Sequence, residues 1–193
     1  MPLSRPALYA GIAGPAAFIG AWATGSFLKD GYSPVRDTIS RLAEPGSSTR
    51  VLMTAGFVGF GVFMTAYARE VGRALDSPGA AAAVGTTALA TLAVAAFPVT
   101  AGGGTTSDTV HYLAAGTAYV ANAIAPLVAA RHLRNGPARA GSAAAGVAVA
   151  AALIGSIVAP DEVTGLLQRT GLTLYDAWSV ALAVGLLRQS RTA

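Results

Sequence analysis

Six apolar runs, each close to the length that crosses a bilayer, follow one another along the chain with charged or Gly/Pro-rich breaks between them. They lie near residues 8–27, 51–68, 80–98, 110–130, 141–159 and 166–187. A helix needs about 20 residues to cross the hydrocarbon, so the spacing predicts an all-α fold, an integral membrane bundle of six transmembrane helices. Residues 1–193 then form one transmembrane domain. Composition points the same way: 53% hydrophobic and only 11% charged residues leave too little polar surface to coat a water-soluble globule.

The same inventory excludes several chemistries. Without cysteine there is no disulfide and no thiolate metal site, and two histidines, His111 and His132, are too few for a multi-histidine zinc centre. The residues therefore imply no metal and no cofactor. A net charge of +4 invites a nucleic-acid reading. However, the arginines are scattered over short connections instead of lining one element, which argues against nucleic acid.

That scatter carries topology. Arg5, Arg69, Arg73, Arg131, Arg134, Arg139, Arg188 and Arg191 fall in the termini and in the connections after the second and fourth runs, whereas only Glu70 and Asp76 of the nine acids do. By the positive-inside rule these segments and both termini are cytoplasmic, and connections 28–50, 99–109 and 160–165 face outward across a bacterial plasma membrane. Ala21-Trp22-Ala23 resembles a signal-peptidase site, but the first run exceeds a usual signal core, and its removal would upset the arginine asymmetry. An uncleaved first helix is expected. Close helix packing should use Gly11, Gly14, Gly56, Gly59, Ala151, Gly155 and the run 80–83, while Pro15 and Pro126 fall inside spans.

Functional groups gather on the predicted outer side: Arg36, Asp37, Arg41, Glu44, Asp108, His111, Asp161, Glu162, Arg169, Tyr175 and Asp176. Ser33 and Pro34 suit a helix start and Pro45-Gly46 its end, with Val35, Ile39 and Leu42 on one face. A short outer interfacial helix is expected there, with Arg36, Asp37 and Arg41 either solvated or turned inward as a lid. Asp108 reads as a helix cap or as a partner of His111 one turn on. Gly102-Gly103-Gly104 lacks the lysine and strand of a phosphate loop and carries no weight. Arg169 and Asp176 stand seven residues apart on one face of the last span. Charge at that depth needs a partner or a cavity, so the two form a buried ion pair or line an outward cavity.

Three stretches carry a family likeness: Tyr32-Ser33 with Asp37-Thr38-Ile39-Ser40-Arg41-Leu42; Phe97-Pro98 followed by His111; and Gly165-Leu166-Leu167-Gln168-Arg169 with Trp178. In order and spacing they resemble the bacterial membrane family called domain of unknown function 998. The resemblance implies a multi-pass membrane protein with an outer cluster and no established reaction. Two departures stand out: Val99 and Thr100 follow the Phe-Pro pair, and Gln168 precedes the arginine, where the family pattern has acids. Each removes a carboxylate from any shared site.

Three functions fit these residues. One is a binder of membrane lipids or another hydrophobic small molecule in an outward pocket, through Arg36, Asp37, Arg41, His111, Arg169, Tyr175 and Asp176, since arginine suits an anionic head group. The second is a small membrane enzyme acting on an isoprenoid or lipid in the manner of terpene cyclases, with Asp176 or Asp108 as proton donor and His111 as a further catalytic candidate. The third is a transporter or an assembly partner of another membrane protein. No internal duplication favours transport.

Overall fold

A computed structural model describes residues 3–190; Arg191 lies outside them. Six helices, each long and apolar enough to cross a membrane, make up the chain: α1 Arg5–Leu28, α2 Arg50–Leu75, α3 Pro78–Ala96, α4 Thr106–His132, α5 Gly136–Val158 and α6 Thr164–Gln189. Starts are set by local chemistry. Proline occupies the first turn of α1, α3 and α5, where its missing N–H costs nothing. Ser77 and Asn135 cap α3 and α5 by accepting from the backbone of Ala80 and Ala138.

Each helix packs on its sequence neighbours, and α6 returns to α1, closing an up-and-down ring. Connections 29–49, 97–105 and 159–163 consequently share one end, hereafter the long-loop end. The start of α1, the end of α6 and connections 76–77 and 133–135 share the other. Buried Leu8, Phe18, Phe57, Phe60, Met64, Tyr67, Val84 and Leu153 fill the ring. Outward, Val62, Leu89, Leu113, Val120, Val147 and Ile154 stay exposed, as a lipid-facing surface requires.

Small residues set the helix separations. A Cβ on Gly56 would stand 2.4 Å from that of Ala21, and one on Gly11 would stand 2.8 Å from the Tyr67 ring. Gly14, Gly59 and Gly155 likewise face neighbours, whereas Ala151 is exposed. α1 and α4 run on through Pro15 and Pro126.

Two expectations need correction. Arg69, Glu70 and Arg73, read as a connection, belong to α2: Glu70 is buried, accepts the Ser4 N–H at 2.9 Å and pairs with Arg73 at 2.9 Å, so the helix continues past its apolar run. The outer helix is shorter than predicted, a five-residue 3-10 turn, Ile39–Ala43. The Asp37 carboxylate accepts the Ser33 N–H at 2.7 Å and folds residues 33–37 into a turn, while the carbonyls that would have built a helix go to α6.

Candidate functional site

The long-loop end is organised by α6. Its first turn has no side-chain cap; instead the Gly165 N–H donates to the Arg36 carbonyl at 3.2 Å and the Leu166 N–H to that of Val35 at 2.9 Å. The loop serves as the cap. Arg169, one turn deeper, sends Nη1 to the carbonyls of Pro34 (2.8 Å), Asp37 (2.7 Å) and Gly165 (3.0 Å), and Nη2 to the Tyr32 hydroxyl. Its guanidinium carbon stands 5.4 Å from both the Trp22 and Tyr32 ring centroids. Burial pushes the Tyr32 phenol up from its ordinary value, so it stays neutral and serves Arg169 as an acceptor.

Asp108 closes a capping box with Thr105 at the start of α4. Its carboxylate takes four donors, the N–H and hydroxyl of both Thr100 and Thr105, at 2.6 to 2.8 Å. A carboxylate so occupied is a fixed anchor for the 97–105 loop and is badly placed to deliver a proton. His111 is gripped on both sides: Nδ1 lies 2.7 Å from the Phe97 carbonyl and Nε2 lies 2.8 Å from Ser40 Oγ. Because a carbonyl only accepts, Nδ1 carries the proton, which in the neutral ring leaves Nε2 to accept from Ser40.

Beneath the 3-10 turn lies a narrow cavity of about 50 Å³, hereafter the chamber, lined by Phe18, Phe57, Phe60, Asn122, Tyr175 and Asp176 among others. That is room for one or two waters. Asp176 is 2% exposed, and its Oδ2 has no hydrogen-bond partner. Above it lies an open groove of about 630 Å³ between the 3-10 turn, α4 and the facing ends of α5 and α6, lined by Arg41, His111, Tyr112, Gly116 and Ile157 among others. Groove and chamber share Ser40, Ala115, Tyr119 and Gln168 as walls. Gln168 latches this partition: its Oε1 accepts the Ile39 N–H at 2.8 Å and its Nε2 donates to the Tyr119 hydroxyl at 2.6 Å.

Asp108 in its cap aside, the predicted residues divide among four places. Asp176 and Tyr175 line the chamber, and His111 and Arg41 line the groove. Arg36 and Asp37, with Arg41, Asp161 and Glu162, line a separate surface groove of about 640 Å³. Arg169 belongs to the loop clamp. It forms no ion pair with Asp176, since seven residues of helix hold them about 10 Å apart and carbonyls meet Arg169 first. Among the described residues, no three His, Asp or Glu side chains come together as a metal site would need.

Ser40, Tyr119 and Gln168, which form the partition, were not singled out as site residues by the sequence. They carry no charge, and charge at membrane depth is the signal a sequence shows most plainly. A family model described as Protein of unknown function (DUF998) matches residues 12–185. No curated protein and no solved structure matches the chain.

Proposed function

This chain belongs to the DUF998 family, and we propose that it is a multi-pass membrane protein that binds a lipid or another hydrophobic small molecule in the groove at its long-loop end. The observation that carries this reading is the groove itself. It runs from a polar mouth, where half-exposed Arg41 is bridged to Asp37 and Glu44, down the apolar flank of Tyr112, Ala115, Gly116 and Ile157. At about 50 Å³ the chamber beneath is too small for the ligand body. The proposed arrangement puts the long-loop end outside a bacterial plasma membrane and both termini in the cytoplasm, following the arginine asymmetry.

Gly116 supplies the test, because a Cβ there meets no atom within 4 Å and a larger side chain enters the groove without disturbing a helix contact. Gly116→Phe should remove lipid that copurifies with the parent, read by native mass spectrometry. Identical lipid retention in a correctly folded variant sinks the reading.

A second reading draws on Asp176. Asp176, whose Oδ2 has no partner, lines a chamber walled by Phe18, Phe57 and Phe60, which suits proton donation to an alkene and aromatic stabilisation of the resulting cation, provided that the chamber of about 50 Å³ widens to admit the isoprenoid. Turnover of a polyprenyl substrate, abolished in Asp176→Asn, would favour it over simple binding.

A further inference from the structure

Ser40 and His111 stand as a nucleophile and a base stand in acyl-transfer enzymes. We propose that they form a Ser–His dyad that cleaves the carboxylic ester of a lipid held in the groove, a proposal that rests on the lipid-binding reading above. The geometry has three parts. Ser40 Oγ lies 2.8 Å from His111 Nε2 and lines both groove and chamber. The Phe97 carbonyl, 2.7 Å from Nδ1, holds the tautomer that leaves the Nε2 lone pair aimed at the serine, the orienting task that a carboxylate performs in a triad. The Tyr119 hydroxyl already accepts from Gln168 Nε2, so its own proton remains to be donated, and Tyr119 lines the same two spaces as Ser40.

The reaction balances with water as the only co-reactant. Ser40 Oγ bonds to the ester carbonyl carbon while its proton passes to His111 Nε2, and Tyr119 O–H donates to the oxygen that becomes negative. Collapse breaks the bond to the leaving alcohol, which takes the proton from His111. Water then attacks the acyl-serine, gives its proton to His111, and releases a fatty acid as the proton returns to Ser40. Gln168 is a positioning residue, since it ties the backbone of Ile39, beside the nucleophile, to Tyr119.

Full-length protein in detergent, treated with a fluorescent fluorophosphonate, should be labelled at Ser40 by peptide mass spectrometry. Labelling should vanish in Ser40→Ala and slow by about 10²-fold in His111→Gln. Monodisperse parent protein that stays unlabelled, or is labelled elsewhere, overturns the dyad. Since His111 also tethers the loop, a second variant keeps it in place: Ser40→Cys introduces the sole thiol into a chain with no cysteine. Beside His111 that thiol should react with iodoacetamide well below the ordinary thiol range near pH 8.5, whereas a rise centred at or above about 8.5 overturns the proposal. If Gly116→Phe leaves lipid retention unchanged while Ser40 still reacts, the dyad stands and the groove reading falls. Lipid lost on filling the groove, with Ser40 inert, is the reverse result and overturns the dyad.

Discussion

A cation at membrane depth ordinarily calls for an anion, yet Arg169 meets three backbone carbonyls and the Tyr32 hydroxyl instead, while its Nε has no partner. Its planar fork suits the task, because Nη1 reaches three carbonyls while Nη2 reaches Tyr32, and the Trp22 and Tyr32 rings both stand 5.4 Å from the guanidinium carbon. A lysine ammonium keeps the charge but has neither the fork nor the flat faces. Arg169→Lys is therefore expected to cost about 2 kcal/mol or more, seen as a lower thermal midpoint in detergent, and to open the 29–49 loop to limited proteolysis. A Lys variant as stable and as protease-resistant as the parent would mean that charge alone suffices and that the carbonyl clamp contributes nothing.

Across elements, the start of α6 and the 33–38 turn depend on each other. A Cβ on Gly165 would stand 2.4 Å from the Asp37 carbonyl oxygen and 2.8 Å from that of Pro34, both backbone atoms with little freedom to retreat. Gly165→Ala, harmless in most helices, should here push the loop off α6 at a cost of about 1–3 kcal/mol, with faster hydrogen exchange at Gly165 and Leu166. Unchanged exchange at those two amides would refute the mutual cap. This dependence also explains what was legible beforehand. The six spans were readable because hydrocarbon thickness fixes their length, and Asp108 was readable as a cap because capping is local in sequence. The clamp was not, since its acceptors are the backbone carbonyls of Pro34 and Asp37, and any residue type supplies a carbonyl. Pairing Arg169 with Asp176 counted only side chains as partners. The Ser40–His111 contact joins residues 71 apart, a closeness that only the closed ring creates.

For the whole molecule, ring closure of α6 on α1 fixes which connections lie together, whereas the side of the membrane proposed for them rests on charge alone. The end bearing Arg69, Arg73, Arg131, Arg134 and Arg139 holds the larger share of arginine and is costly to translocate, whereas at the long-loop end two of the cations sit among carboxylates. Arg41 meets Asp37 at 3.3 Å and Glu44 at 3.4 Å, and Lys29 meets Glu44 at 3.3 Å. Because the chain has no cysteine, single-cysteine variants report sidedness without background. Ser48 and Gly102 are exposed at the long-loop end, and Ala140 is exposed near the start of α5 at the other. In intact spheroplasts, a membrane-impermeant maleimide should label Ser48→Cys and Gly102→Cys, while Ala140→Cys should react only after the membrane is permeabilised. The opposite pattern would turn the groove toward the cytoplasm, and its ligand would then have to come from the inner leaflet. Labelling of Ser48→Cys without Gly102→Cys would break the shared end itself, and with it the groove that both loops border.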